Sequence, residues 1–334
     1  MTVSLSRPLD FPAQAPEGFE PLKNEPVFEA SKHLALERPQ EVLSLQDLGY
    51  SDDEIKDCPT DLGVTSTFRV LSDEGAACLL DVCRQLETYV QSNERISRMV
   101  RGGVYRSKFL RDLCLSPDLT EAISDICKTP VLPHTIPHQL GHLNYNPLEV
   151  GQNVDKWHTD TLRIDFVMFV TDPNLVKGGE FEFYKGTKGE VEALKAKGLP
   201  LDPAKIVQAA LPGPGYAVLQ QGNLVVHRAK GLKEAGERIT MVNGYVAADT
   251  AYEDFCKYDQ LKIVDPEHVA ASEFSRHMAW MGREALNAQL SSFEFSTDRQ
   301  AMASRMEKVA AMLSDAAGQL RSDEKVIMEH FGDE

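Results

Sequence analysis

Apolar positions recur along this chain at two periods, and the change from one to the other divides it. Residues 64–71 read as a strand. Ser72-Asp73-Glu74 then supplies N-cap chemistry with acids in a first turn, followed by Leu79, Val82, Cys83, Leu86 and Val90 at helical spacing. Ser116-Pro117 opens a second helix with Leu119, Ile123 and Ile126 on one stripe. From Leu140 to Ala247 the texture becomes short strands with turn punctuation. Strands are predicted near 140–145, 164–171, 180–184, 206–211, 215–220, 223–228 and 238–247, separated by Gly178-Gly179, Pro212-Gly213-Pro214-Gly215 and Gln221-Gly222-Asn223. The segment 190–197 reads as a helical insertion. Helix returns after Val246, and Ser296-Thr297-Asp298 caps a stripe of Met302, Met306, Val309, Leu313, Ala317 and Leu320.

Many short strands at this spacing predict an α+β protein with a mainly β core, a double-sheet jelly roll (double-stranded β-helix). The expected organisation is an extended, proline-rich N-terminal arm over 1–63, a helical layer over 64–137, the jelly-roll core over 138–248 and a helical extension over 249–334. The C-terminal stripe spans under three heptads, which favours packing within the chain, and a homodimer through these helices is the oligomer it would allow.

Length and composition then narrow the class. The chain has 334 residues and a formal net charge of −16, from 35 basic and 51 acidic residues. That balance disfavours general binding to nucleic acid or an anionic membrane. Six cysteines without a Cys-x-x-Cys pair read as free thiols of a reducing compartment. No apolar run approaches the ~18 residues of a membrane span, so a soluble cytoplasmic protein is expected.

Candidate chemistry centres on Trp157-His158-Thr159-Asp160-Thr161, ahead of the apolar run Ile164-Asp165-Phe166-Val167-Met168-Phe169-Val170. On a strand, His158 and Asp160 would share a face, whereas Asp165 would point the other way. A distal His227 completes the sequence form of a 2-His-1-carboxylate triad, which holds Fe(II) and leaves positions open. Arg238 and Thr240 follow eleven residues later as a second same-face pair. A rival cluster, His134, His138 and His142, is interrupted by Pro133 and Pro137. In an extended segment these histidines lie some ~13 Å apart, too far for one ion.

These pieces occur in a specific order: Leu143-Asn144-Tyr145, His158-Thr159-Asp160, Gly178-Gly179-Glu180-Phe181, Gly215-Tyr216-Ala217-Val218-Leu219, His227-Arg228, and Gly236-Glu237-Arg238-Ile239-Thr240. Over roughly 138–247 the chain thereby resembles the Fe(II)/2-oxoglutarate-dependent dioxygenases, particularly the prolyl 4-hydroxylase-like and phytanoyl-hydroxylase-like branches. The resemblance implies iron on His158, Asp160 and His227. It also implies the C5 carboxylate of 2-oxoglutarate on Arg238 with Thr240 beside it, further cosubstrate contacts from Asn144 and Tyr145, and O2 at an open iron position. It implies oxidation of a small molecule, with hydroxylation the default outcome. Retention of Asp160 speaks against a halogenase, where a small residue would stand.

An arginine-rich stretch, Arg95 to Arg111, offers Arg101 and Arg106 as anchors for an anionic substrate group, hence a small carboxylate-bearing metabolite such as an amino acid. The alternative for this stretch is surface cations paired with the chain's many acids. Two other readings of the whole protein stay open: a cupin-like metal enzyme without 2-oxoglutarate, and a non-enzymatic binding protein on the same fold.

Overall fold

The computed structural model describes residues 6–292, 294–324 and 330–332. In chain order the strands are β1 (Val42–Ser44), β2 (Leu62–Thr65), β3 (Phe68–Arg69), β4 (Met99–Val100), β5 (Val131–Pro133), β6 (His142–Tyr145), β7 (Asp155–His158), β8 (Ile164–Phe169), β9 (Phe181–Tyr184), β10 (Ile206–Gln208), β11 (Tyr216–Gln220), β12 (His227–Ala229) and β13 (Ile239–Ala247). All pair antiparallel. The larger sheet runs β1-β2-β11-β8-β13-β6-β4, with β3 added on β11 and β5 on β13; the smaller runs β10-β9-β12-β7.

The alternation along β8 explains the layering. Ile164, Phe166 and Met168 pack into one core with Leu79, Val82 and Leu86 of helix Asp73–Leu86 and Leu119 and Ile123 of helix Pro117–Cys127. Val167 and Phe169 face the other way, onto Phe181 and Phe183 of β9. The large sheet is therefore covered on both faces, which is why all six residues of β8 are buried and its sequence is nearly continuous in apolar residues. Both helices start as the sequence predicts. Ser72 Oγ accepts from the Gly75 N–H at 3.0 Å, and Pro117 occupies the first turn after Ser116.

The N-terminal segment departs from expectation. It is not only an extended arm, because β1 and β2 within it join the large sheet through β11. The turn residues Leu45 and Leu48 insert into the inter-sheet core, which ties this segment down. The C-terminal stripe also differs. Helix Arg299–Arg321 packs on Glu267–Ser291, but Val309 and Ala316 carry the burial while Met302 and Met306 stay exposed. No helix among the described residues is long and apolar enough to cross a membrane.

β7 lies at the end of the small sheet. Its free side is met by the C-terminal residues: Trp157 N–H donates to Gly332 O at 3.0 Å and Phe331 N–H to Trp157 O at 2.6 Å.

Candidate metal centre

β7 and β12 pair with His158 directly opposite His227, so two imidazoles from distant sequence positions meet across one ladder, ring centroids 4.2 Å apart. Each ring is fixed by its own backbone neighbourhood. The Nδ1 of His158 lies 2.6 Å from Lys156 O, and that of His227 lies 2.9 Å from Val225 O. A carbonyl only accepts, so both Nδ1 atoms carry the proton and both Nε2 atoms present lone pairs. Asp160 faces them, its Oδ1 3.4 Å from His158 Nε2 and its Oδ2 3.3 Å from His227 Nε2. Two outward-tied imidazoles and a carboxylate converging on one point form a set that could hold a metal ion.

Electrostatics agree with this arrangement. Burial lowers the affinity of His158 for a proton, aided by Arg95. Burial works against the Asp160 charge, yet the facing His227 and His158 hold its carboxyl well below the usual carboxylate range. His227 moves upward: burial opposes its charge, but the Asp160 carboxylate outweighs it.

The strand argument that united His158 and Asp160 needs correction. β7 ends at His158 and β8 begins at Ile164, so Asp160 sits in the turn between them. Its position is set by its own N–H, which donates to Gly222 O at 2.8 Å. Asp165 is corrected with it, since it shares a face with Val167, which lines the same cavity. Gln220 Nε2 donates to Asp165 Oδ1 at 3.1 Å and also lies 3.2 Å from His227 Nε2. Burial first, then the Asp160 charge, pushes the Asp165 carboxyl well above its ordinary value. Gly222 makes this crowding possible: a Cβ there would lie 2.1 Å from Asp165 Oδ2 and 2.9 Å from Asp160 Oδ2. His227, expected at the end of a strand, instead begins β12 after a turn.

The cavity beside the triad has a volume of about 120 Å³ and runs between the two sheets. Asn144 and Thr240 are paired across β6 and β13 and both line it. Arg238, 2% exposed, reaches it from the start of β13. Its Nε donates to Gly179 O at 2.8 Å, its Nη1 lies 3.4 Å from Thr240 Oγ1, and its Nη2 has no partner. It makes no ion pair with any described carboxylate, and burial brings its pKa down to about 10. Gly179 permits this approach, since a Cβ there would lie 2.8 Å from Arg238 Cδ.

Tyr145 does not reach the cavity. Period-2 alternation turns it onto the opposite face from Asn144, where its hydroxyl donates to Cys83 O at 2.7 Å inside the helix-side core. Arg101 lines the cavity but is gripped by Asp265 through two bonds of 2.7 and 2.8 Å. Arg106 lies outside it: its Nη2 donates to Gly18 O at 2.5 Å, and its guanidinium stacks 3.6 Å from the Tyr89 ring centroid. The three histidines at 134, 138 and 142 disperse. His138 pairs with Glu273 at 2.8 Å, and His142 lines the cavity with an unpartnered Nε2. His142 was legible through its two-residue offset from Asn144; Gly222 was legible only as part of a turn, and Gln220 carried no signal of its own.

No protein-family model and no curated protein matches this chain. Solved structures are similar in part. Non-heme iron enzymes stand among them. The non-heme alpha ketoglutarate dependent carbocyclase SnoK from nogalamycin biosynthesis is 17% identical with a TM-score of 0.47, covering 68% of this chain and 95% of its own. The epimerase SnoN from the same biosynthesis is 16% identical (TM-score 0.42; 55% and 76%). EctD from S. alaskensis, solved with 2-oxoglutarate and 5-hydroxyectoine, is 15% identical (TM-score 0.42; 64% and 84%). At this level of identity the chemistry of the site rests on its own residues.

Proposed function

We propose that this chain is a non-haem Fe(II) oxygenase that uses 2-oxoglutarate and O2 to oxidise, most simply to hydroxylate, a small molecule. The two antiparallel sheets are read as the leaves of a double-stranded β-helix, with 138–248 as the catalytic core. One observation carries the proposal. A buried guanidinium with an unpartnered Nη2 faces the same cavity as two imidazoles and a carboxylate arranged for a metal. A buried arginine without a counter-charge is costly unless an anion completes it. A planar fork suits a carboxylate, and a cavity of about 120 Å³ suits a molecule the size of a small dicarboxylate.

In this reading His158, Asp160 and His227 hold iron through Nε2, carboxylate oxygen and Nε2, with Lys156 O and Val225 O fixing both rings. Bound iron supplies the redox chemistry with O2 and cosubstrate. Arg238 orients the far carboxylate of 2-oxoglutarate, held in place by Gly179 O and assisted by Thr240. Asn144 contributes a buried, unpartnered Oδ1 from the neighbouring strand. Val167, Val242 and Leu162 line the cavity with apolar surface that excludes water. The expectation of a carboxylate-bearing substrate loses both arginines that supported it, since Arg101 is neutralised by Asp265 and Arg106 lies elsewhere.

Anaerobic addition of Fe(II) and 2-oxoglutarate tests the proposal. A visible charge-transfer band requiring both components is the expected result, with succinate release on admitting O2. Metal binding without the band would make the protein a cupin-like metal enzyme, and neither signal would make it a binding protein.

A further inference from the structure

A second set of metal-capable side chains lies outside this cavity. His134 directly follows β5, Asp254 stands in the loop after β13, and His277 sits midway along helix Glu267–Ser291. The Nε2 of His134 is 3.5 Å from Asp254 Oδ2, and the Nε2 of His277 is 3.4 Å from Asp254 Oδ1. The two rings stack with centroids 5.1 Å apart. Both imidazoles are sealed from solvent, and the Asp254 side chain is 6% exposed.

We propose that His134, Asp254 and His277 bind a second divalent cation, zinc by the chemistry of the donors, that fastens the C-terminal helices to the β core.

Four observations support the assignment. Asp254 makes no ion pair with any described lysine or arginine. A sealed carboxylate between two imidazoles calls for a cation. Next, His277 Nδ1 lies 2.6 Å from Thr135 Oγ1 while its Nε2 has no hydrogen-bond partner, which is how an outer-shell group presents a ligating imidazole. Third, bonds of about 2.0–2.1 Å from a tetrahedral ion imply ligand–ligand edges of roughly 3.4 Å, and the two imidazole-to-carboxylate distances, 3.5 and 3.4 Å, are of that size. Finally, Cys256 Sγ, 3.4 Å from His134 Nε2, places a soft donor beside the set, and the Cys256 N–H donates to Asp254 Oδ1 at 2.8 Å.

One contact opposes occupancy. Ile136 N–H points at His134 Nδ1 at 3.1 Å, and ligation through Nε2 moves the ring proton to that nitrogen. A single backbone bond is thereby exchanged for ligation of the ion by three side chains.

The consequence reaches the first site. Gln260, Leu261 and Val264, which follow Asp254 closely, wall the cavity, and Gln139 links the two regions by lining it while its Nε2 contacts Cys256 Sγ at 3.8 Å. The ion would hold that wall in place.

The test uses the full chain carrying His158→Ala and His227→Ala, which removes the first site, so the two proposals fail independently. After chelation, Zn2+ is titrated and bound metal counted by mass spectrometry after gel filtration. One zinc per chain and a raised Tm are expected. Adding Thr135→Val should weaken binding by roughly 10–100-fold, the effect of losing an outer-shell partner, and Asp254→Asn should weaken it further. Absence of stoichiometric zinc in the double variant overturns the proposal, as does undiminished binding by folded Asp254→Asn. Should Asp254→Asn fail to fold, Co2+ loaded on the double variant decides. The intense visible bands of four-coordinate cobalt support the site, and the weak spectrum of the hexa-aqua type overturns it.

Discussion

Replacing Arg238 by lysine separates charge from geometry at the proposed cosubstrate anchor. The guanidinium spends Nε on Gly179 O and leaves Nη2 for a ligand. Lysine keeps a cation but cannot hold Gly179 O and also present a fork. The loss is at least one charge-assisted hydrogen bond, about 1.5–3 kcal/mol. At about 1.4 kcal/mol per decade, 2-oxoglutarate should bind roughly 10–100-fold more weakly. The upper part of that range is expected, because the dry site that brings arginine to about 10 also disfavours a charged lysine. Arg238→Ala should be worse still, leaving the carboxylate without a counter-charge. Thr240→Val removes a hydroxyl 3.4 Å from Nη1, a weak contact, so its effect should stay below about ten-fold. The assay is anaerobic titration of 2-oxoglutarate on Fe(II)-loaded protein, with iron affinity measured separately. Parent-like binding in all three variants, or iron affinity falling in step, would refute the anchor.

Other expectations follow from the triad and its surroundings. His158→Ala and His227→Ala should each abolish metal-dependent turnover; full activity of either at ordinary iron concentration removes the ligand assignment. Gly222→Ala forces a Cβ against Asp165 and Asp160, so iron affinity should fall by roughly ten-fold or more while circular dichroism stays native. Asp160→Ala should lose iron far more than Asp165→Ala, because Asp165 is not one of the three converging side chains and is tied to Gln220; iron titration of both checks the order. Asp165→Asn should stabilise the metal-free protein increasingly as pH rises. A carboxyl whose folded pKa is raised is free of penalty below its unfolded value near 3.8, and it loses stability as pH climbs through the folded value. Melting curves at acid and slightly alkaline pH should therefore converge at low pH and separate above it.

Much of this was legible because it depends on period. Helices Asp73–Leu86 and Pro117–Cys127 follow their apolar stripes and caps, and six of the seven strands expected in the β region fall close to where alternation and turns put them, the exception being 223–228, where a turn precedes β12. The three residues of the metal-capable set at His158, Asp160 and His227 came from type and order. What alternation could not supply was the turn between β7 and β8. There Asp160 is aimed by a backbone bond to Gly222, and Asp165 emerges on the face assigned to its rival. Tyr145 was lost for the opposite reason, since the strand is regular and its neighbour Asn144 already held the cavity face. Arg101 shows a third limit. Its partner Asp265 lies 164 residues away, and nothing local announces such a pair. Helix Glu267–Ser291, with its buried Glu273 and His277, likewise has a mixed surface that blurs its stripe.

The bonds from Phe331 and Gly332 to Trp157 also bear on how the protein is made and handled. The strand that ends in His158 acquires its outer neighbour only from residues synthesised about 170 positions later, a contact of very high sequence separation. A nascent chain on the ribosome would thus carry both imidazoles, the carboxylate and Arg238 before β7 is bounded on its free side. Any property of the site that depends on a bounded β7 therefore waits on Phe331 and Gly332. A perturbation of Phe331 or Gly332, an appended tag included, would bear directly on the strand that carries His158.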